Sequence, residues 1–444
     1  MPENDNSKTI VAESSPPGVG GVSVLRISGP RSLLYLSKIT KTNQKDIKPR
    51  VVYHRSLWGK GGKLIDSGLV TFFKQPHSYT GENTVEISCH GSPLVVTKII
   101  SFLVSLGATP AEPGEYTKRA FLNGKLSLLQ AEAVGEIISA KTERALGLNL
   151  KILNENNVLA LEDIKSNLLL IASNIEHALD ISDEDLGDDF FINTINSISS
   201  ALLKINSYIK NYKENKKHLR PQVVVIYGKP NVGKSTLFNA ILNQERAITN
   251  KKAGTTRDTI EQELFIGSLC VRLVDTAGKR KATSEAEAEG VRRTEKAVSE
   301  ADLVLHVIER VDNIKLINNK IIVYNKKDLI KYKKQKNKKE KPVYVSAKNR
   351  VGIETLKKRM LSKLLNKKTP TSGSIITTTR QLQAITRSAD CLKNSLKTLK
   401  SKNPELELSA FELRESINAL SFLLGSTSTE DIMENVFKNF CVGK

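Results

Sequence analysis

Residues 223–235 read VVVIYGKPNVGKS, and this stretch indicates the architecture around it. Five apolar or aromatic residues predict a buried strand, and the turn GKPNVGKS follows it directly in the pattern G-x-x-x-x-G-K-[ST]. Glycines let backbone N–H groups close around phosphate oxygens, and the N-terminus of the following helix adds its positive dipole. The stretch therefore predicts a phosphate-binding loop between a strand and a helix.

The polar residues of this loop have separate expected roles. Lys234 is expected to reach the β- and γ-phosphates of a nucleotide, and Ser235 is expected to ligate Mg²⁺. The residues of the loop predicted to contact nucleotide are Asn231, Val232, Gly233, Lys234, Ser235 and Thr236.

Four more short apolar runs follow, separated by segments long enough for helices. They lie at residues 271–274, 303–308, 321–324 and 343–345. Continuous apolar strands that alternate with helices indicate a parallel sheet covered on both faces. We therefore predict a parallel α/β domain around the phosphate-binding loop.

Three loop motifs at the ends of these strands indicate the nucleotide. In DTAG at 275–278, the Asp can hold Mg²⁺ through water and the Gly N–H can sense the γ-phosphate. In NKKD at 325–328, the Asp carboxylate can accept both donors of the guanine edge, which adenine does not offer. SAK at 346–348 is expected to support the base. Together the motifs predict a Ras-like GTP-binding domain with contacts from Asp275, Thr276, Ala277, Gly278, Asn325, Lys326, Asp328, Ser346, Ala347 and Lys348.

The residues that promote hydrolysis are less obvious. Many GTPases place a water-orienting Gln directly after the DxxG glycine, but this chain has Lys279 there. A carboxylate among Glu285, Glu287 and Glu289 is a candidate, and a solvated acidic helix start is the alternative. Thr256 is expected to complete the Mg²⁺ shell. It belongs to a predicted nucleotide-contacting segment that comprises Asn250, Lys251, Lys252, Ala253, Gly254, Thr255 and Thr256.

The rest of the chain divides around this domain. Residues 1–118 show short apolar runs between turns, which indicates a mixed α/β domain, whereas residues 119–218 and 369–444 carry apolar residues at helical spacing. We expect the GTPase domain, residues 219–368, to be inserted between the two parts of a helical domain. The predicted fold class is multidomain α/β plus α, with a helical bundle and an inserted Ras-like domain.

Composition narrows the functional classes. Lys plus Arg number 68 and Asp plus Glu 47, so the net charge is +21, which fits either a polyanion such as RNA or compositional drift. Four Cys without a C-x-x-C pair argue against a disulfide scaffold or a zinc ribbon. With neither an 18-residue apolar run nor a presequence pattern, we expect a cytoplasmic protein without membrane contact.

Two charged segments each leave two interpretations open. The segment 180–189 carries six carboxylates and is either a metal site or, as we favour, a solvated loop. The segment 331–341 carries seven Lys and one Glu, and it is either a solvated loop extension or an RNA contact.

Several separate motifs resemble one known family over essentially the whole chain. They are PPGVGG at 16–21, LRISG at 25–29, YTGENTVE at 79–86, PGEYTKRAFLNGK at 113–125 and FCVGK at 440–444. With the inserted GTPase motifs, this set resembles the MnmE (TrmE) family of tRNA-modifying GTPases. Ser127 stands where the family usually has Asp, and the passage from 308 to 321 is shorter than usual.

The resemblance implies partners and a one-carbon donor. It implies a homodimer whose N-terminal domains bind a tetrahydrofolate derivative, 5-formyl or 5,10-methylene. It also implies a heterotetramer with the FAD-dependent MnmG (GidA) protein. Together the two proteins would build an aminomethyl-type group, such as carboxymethylaminomethyl, on C5 of the wobble uridine of tRNA. By motif position the folate contacts are Arg26, Glu86, Lys125 and Lys444.

The resemblance also implies how GTP is hydrolysed. In the family K⁺ binds beside the phosphate loop when two G domains meet, and a Glu orients water. By position Glu287 is that catalytic Glu. The K⁺ oxygens come from Asn231, Asn250, Lys252 and Thr255, and the Mg²⁺ ligands are Ser235 and Thr256.

Two alternative functions and one residue stay open. A regulatory GTPase switch in ribosome assembly would share the G domain but would not need the N-terminal motifs or the FCVGK ending. A folate-binding one-carbon transferase would not need every GTP motif to be intact. Cys441 is either a nucleophile for the uridine or, as we favour, a small apolar residue beside the folate site.

Overall fold

A computed structural model describes most of the chain. The described residues are 8–154, 157–179, 187–242, 260–267, 269–275, 295–309, 319–329, 342–365, 376–426, 430–438 and 440–444. The chain divides into two compact units, of which the first comprises residues 1–138, 149–206 and 379–444. The second comprises residues 139–148 and 207–378.

The N-terminal part of the first unit is a mixed α/β fold, as the sequence predicts. Its sheet has the order β3-β4-β5-β2-β1-β6, antiparallel except for the parallel pair β1 and β6. Leu25 and Ile27 of β2 alternate with polar residues and lie in the core, so one face of the sheet is buried against helices. The strands are β1 (Ile10–Glu13), β2 (Val22–Ser28), β3 (Val52–Trp58), β4 (Leu64–Phe73), β5 (Thr84–His90) and β6 (Thr109–Pro110). The helices are α1 (Ser32–Thr40), α2 (Pro93–Ser105) and α3 (Glu115–Leu122).

The rest of the first unit is helical. Its long helices bury apolar residues at the predicted three- and four-residue spacing, such as Leu161, Ile164, Leu168 and Ile175 on α6. Helix α11 (Leu406–Leu424) ends at a left-handed glycine, since Gly425 takes φ 86° and donates its N–H to Ser421 O at 2.9 Å. These helices are α4 (Leu128–Ser139), α6 (Asn157–Leu179), α10 (Thr379–Leu399), α11 (Leu406–Leu424) and α12 (Glu430–Phe437). Helices α5 (Glu143–Asn154) and α7 (Asp188–Leu219) contribute residues to both units.

A buried polar network fixes α4 to α10. The Glu132 carboxylate accepts hydrogen bonds from Arg380 Nε at 2.6 Å, Arg380 Nη2 at 3.0 Å and Gln381 Nε2 at 2.5 Å. Glu132 and Gln381 are buried, so these bonds satisfy a carboxylate that would otherwise be desolvated at high cost. Burial and the neighbouring Glu132 raise the pKa of Glu136.

The second unit contains the predicted α/β domain. Its sheet has the order β12-β11-β10-β7-β9-β8, and β7, β9, β10, β11 and β12 are parallel, which confirms the five expected strands. The sequence did not predict β8, an antiparallel edge strand, because Glu261, Gln262 and Glu263 interrupt its apolar residues. The strands are β7 (Gln222–Tyr227), β8 (Ile260–Ile266), β9 (Leu269–Asp275), β10 (Leu303–Ile308), β11 (Lys320–Tyr324) and β12 (Val343–Tyr344), and the helices are α8 (Lys234–Leu242) and α9 (Ile353–Leu365).

Candidate functional site

The phosphate-binding loop joins β7 to α8 and depends on two glycines. A Cβ on Gly233, which has φ +89°, would lie 2.4 Å from Asn325 Nδ2, and a Cβ on Gly228 would lie 2.3 Å from Val307 O. Lys234 is buried, and its Nζ donates to the carbonyls of Gly228 and Lys229, both at 2.9 Å. Ser235 and Thr236 follow in the exposed first turn of α8, where helix N–H groups favour an anion.

Asn325 joins three loops at the carboxyl edge of the sheet. Its Nδ2 donates to Val232 O at 2.9 Å, and its Oδ1 accepts from Ala347 N at 3.1 Å. The side chain is buried, so both bonds form away from water. The structure thus brings the predicted residues Val232, Gly233, Asn325 and Ala347 together.

Lys326 continues this connection toward the surface. Its Nζ donates to Asn231 O at 3.0 Å and also forms an ion pair with Glu309. Glu309 is a residue that the sequence prediction missed. Its position directly after β10 was the available signal, because parallel strands end at one edge of the sheet.

The Asp328 carboxylate is held by a hydrogen bond from the SAK loop. Ser346 Oγ donates to Asp328 Oδ1 at 2.6 Å, and Asn349 N donates to Ser346 Oγ at 3.3 Å. The Ser346 hydrogen bond is the main cause of the lowered pKa of Asp328, so the group is a carboxylate at neutral pH. Lys348, the last residue of the SAK motif, is exposed.

The remaining predicted nucleotide contacts fall mainly outside the described residues. Asp275 is fully buried at the end of β9. Residues 250–256, residues 276–278 and the predicted catalytic Glu287 lie outside the described part, as do the segment 331–341 and most of the acidic segment.

A second cluster of predicted site residues lies on the N-terminal sheet. Arg26 and Glu86 are direct partners on the antiparallel strands β2 and β5, and Arg26 Nη2 lies 2.7 Å from Glu86 Oε1. Two aromatic rings flank the guanidinium, with centroids 5.4 Å (Tyr79) and 5.7 Å (Tyr116) from Arg26 Cζ. Tyr116 also donates its hydroxyl to Arg26 O at 2.6 Å. The sequence prediction did not assign these tyrosines, although both stand inside its quoted motifs.

Lys444 completes this cluster from the far end of the chain. It is partly buried, and its pKa is lowered first by burial and then by the charge of Arg26, whereas Glu86 raises it. Arg26 and Glu86 are therefore both near enough to influence the charge of Lys444. Lys125 packs beside Gly81, in the turn that also carries Tyr79.

None of the helices described is both long and apolar enough to cross a membrane. In those same parts of the chain no three His, Cys, Asp or Glu side chains are grouped to hold a metal ion.

The parallel sheet, the phosphate-binding loop and the Asn325–Asp328 loop define a P-loop protein that binds guanine nucleotides. A family sequence model described as "GTP-binding protein TrmE N-terminus" matches residues 9–125, and one described as "MnmE helical domain" matches residues 128–441. The chain belongs to the MnmE (TrmE) family of tRNA modification GTPases. The family resemblance and the assignment to the GTP hydrolases are thereby confirmed.

Relatives match the chain over nearly its whole length. The protein named tRNA modification GTPase MnmE from Aquifex aeolicus is 38% identical over 446 residues, which is 98% of this chain and 99% of the relative. The protein of the same name from Thermotoga maritima is 36% identical over 456 residues, covering 98% and 100%. Among solved structures, the G domain of T. maritima FeoB covers 32% of this chain and 99% of its own at 22% identity and a TM-score of 0.25, a likeness too weak to support any argument.

Proposed function

We propose that this GTPase works in a potassium-dependent cycle and, with an FAD-dependent partner, adds an aminomethyl-type group to C5 of the tRNA wobble uridine from a folate one-carbon donor. The main support is the Asn325 connection, because it couples the phosphate loop to the loop that reads guanine. The family and the printed names of the relatives support tRNA as the substrate.

GTP and Mg²⁺ fit the residues that the structure describes. The Lys234 ammonium is directed at carbonyls of its own loop, so a phosphate there would compete for its donors. Ser235, in the first turn of α8, would ligate Mg²⁺ together with Thr256, and bound Mg²⁺ would neutralise charge on the phosphates. Asp275 would hold the ion through water.

Potassium would bind beside the same loop. Asn231 stands in the left-handed region with φ +67°, and its carbonyl already accepts from Lys326, which fixes its backbone. Its side chain would supply one oxygen to K⁺, and Asn250, Lys252 and Thr255 would supply the others. Glu287 would then orient the attacking water.

The folate assignment rests on the donors and acceptors of the Arg26 cluster. Arg26 Nε and Nη2 both donate to Glu86 Oε1, at 3.0 and 2.7 Å. In the described chain Glu86 Oε2 has no hydrogen-bond partner, so it can accept from a pterin donor edge. Arg26 and Lys444 offer two side-chain cations near the Glu86 carboxylate, which suits a ligand with glutamate carboxylates. Lys125 would extend the site through the Gly81 turn.

The proposed function includes two kinds of association. A homodimer joined through the N-terminal domains and a heterotetramer with an MnmG-type FAD protein are expected from the family. Mass measurement in solution, with and without that partner, tests both.

Nucleoside mass spectrometry tests the function directly. Loss of the gene should abolish a C5-aminomethyl-type wobble uridine, and the wild-type gene should restore it. Genes carrying Glu287→Ala or Lys444→Met should fail to restore it. Unchanged nucleosides with ribosomal subunits that accumulate unjoined would replace this proposal with the ribosome-assembly switch.

The cation dependence has its own test in purified protein. GTP turnover is expected to be much faster in K⁺ than in Na⁺ at equal ionic strength, because only an ion of the right size would be held by the Asn231 site. Asn231→Ala should remove most of this difference. Equal turnover in the two salts would contradict the potassium proposal but not GTP binding.

A further inference from the structure

The last five residues of the sequence are held at three points, one on the helical part of the first unit and two on the N-terminal domain. The Phe440 ring packs on Gly135 of α4, and Val442 forms an antiparallel bridge with Pro113. The third point is a hydrogen bond, in which Ser14 Oγ donates to Gly443 O at 2.9 Å. We call residues 440–444 the terminal segment.

Two of these points leave no room for a side chain. A Cβ on Gly135 would lie 2.9 Å from Phe440 Cζ. Gly443 has φ +93°, and a Cβ there would lie 2.2 Å from Glu13 O. Gly114, which precedes α3, is similarly confined, because a Cβ there would lie 2.8 Å from Phe437 O. These close approaches fix the register of the terminal segment, and the register determines where Lys444 falls.

The surroundings of Lys444 are unfavourable for its positive charge. Burial and then the charge of Arg26 lower the pKa of its ammonium and the charge of Glu86 raises it, and Arg26 is itself paired with Glu86 at 2.7 Å. Like charges repel, and partial burial removes water that would weaken the repulsion. Contacts elsewhere in the terminal segment must therefore hold the residue in place.

We propose that Ser14 is a positioning residue for Lys444. Its hydroxyl holds the carbonyl of Gly443, the residue just before Lys444, and keeps the ammonium beside Arg26 and Glu86, where an anionic ligand meets two cations. Ser14 itself is fixed by its own backbone, because Ser14 N donates to Val24 O at 2.7 Å. The inference deepens the proposed folate site and rests on it for the identity of the ligand.

The anchoring is tested without any ligand by carboxypeptidase B, which releases a C-terminal Lys. The full chain ending at Lys444 is digested and the mass of the intact protein is followed with time. Ser14→Ala should release Lys444 several-fold faster than wild type, and Ser14→Thr, which keeps a hydroxyl, should resemble wild type. Ser15→Ala is the matched control, since Ser15 Oγ bonds Glu13 and Val24 instead of the terminal segment.

A second variant tests the same segment from its other end. Gly135→Ala should also speed release, because its new Cβ displaces the Phe440 ring. Gly147→Ala is the control, as a Cβ there meets nothing within 4 Å. Release rates equal to wild type in both Ser14→Ala and Gly135→Ala would overturn the anchoring.

The consequence for binding is tested by calorimetry with 5-formyltetrahydrofolate. Ser14→Ala should weaken binding by about two- to tenfold, the effect of losing one neutral hydrogen bond. In a Lys444→Met background the same change should have no further effect, because Ser14 acts through Lys444. An equal loss in both backgrounds would overturn the positioning role. If wild type binds no folate while carboxypeptidase still separates the variants, the anchoring stands and the folate assignment falls.

Discussion

The side-chain amide of Asn325 donates a hydrogen bond to the backbone carbonyl of Val232, 93 positions earlier in the chain. The bond connects the NKKD loop at 325–328 to the predicted phosphate-binding loop. Because Asn325 also accepts from Ala347 N, one buried side chain fixes the relative positions of three nucleotide-binding loops.

Asn325→Ala should therefore damage both stability and binding. Val232 O and Ala347 N would lose a buried partner, which costs about 1–3 kcal/mol for each group left unsatisfied. We expect a lower free energy of unfolding in urea and a large loss of GDP affinity by calorimetry. Asn167→Ala, at an exposed position on α6, should change neither property. Wild-type GDP affinity in Asn325→Ala would contradict the coupling of the loops.

Asp328→Asn should change the preferred base. The lowered pKa of Asp328 keeps the carboxylate ionised at neutral pH, so it accepts both donors of the guanine edge. An amide can accept one and must donate to the other position, where xanthine offers an oxygen. GDP affinity should fall about a hundredfold, since bonds to a charged group contribute about 1.5–3 kcal/mol each, and xanthosine diphosphate should bind better than GDP. Retained preference for GDP would place the guanine elsewhere.

Glu287→Ala should separate binding from hydrolysis. If this Glu orients water, its loss leaves the phosphate and base contacts intact but removes most turnover in K⁺. Nucleotide affinity and steady-state phosphate release, measured on the same preparation, test both halves. Glu285→Ala is the matched control, with nearly wild-type turnover expected. Unchanged turnover in Glu287→Ala would remove that residue from the mechanism.

Arg380→Met should strongly destabilise the helical part of the first unit. The change removes three of the hydrogen bonds around Glu132 and Phe422 O and leaves a buried carboxylate with Gln381. Breaking a buried ion pair from one side costs about 3–5 kcal/mol. Adding Glu132→Gln should recover part of this loss in chemical denaturation. A double variant less stable than Arg380→Met would show that charge burial is not the cause.

His306→Leu should make the second unit less sensitive to acid. Burial, and secondly the charge of Lys320, lowers the pKa of His306 below 6.5, and among the described residues its Nδ1 has no hydrogen-bond partner. The unfolded chain therefore takes up a proton more readily than the folded one, so stability falls as pH drops below about 6.5. Urea unfolding at pH 7.5 and 5.5 should show a smaller loss in the variant. An equal loss would assign the effect to other groups.

The strands and loops of the nucleotide site could be predicted because their signals are local. An apolar run, a glycine turn and an Asp or Asn at a strand end are visible within a dozen residues, as at 223–235. Strand β8 was missed because it is an antiparallel edge strand in which Glu261, Gln262 and Glu263 interrupt the apolar pattern.

The Arg26 cluster could not be derived from spacing in the same way. Its members come from β2, β5 and the terminal segment, and no local pattern links residue 26 to residue 444. Family resemblance identified Arg26, Glu86 and Lys444, whereas the supporting Tyr79, Tyr116 and Ser14 emerged only from packing. Glu309 is intermediate, since its strand-end position was visible but its partner was not.

The bond between Ser14 and Gly443 spans 429 positions, and this separation has a consequence for synthesis. The N-terminal sheet is complete by residue 110. Gly443, which accepts the bond from Ser14, and Lys444, the third charged residue of the cluster, are translated far later. At about 5–20 residues per second the interval is roughly 15–70 s. A nascent chain whose sheet has folded in that time still lacks Lys444, so the proposed anion site stays incomplete until residue 444 is added.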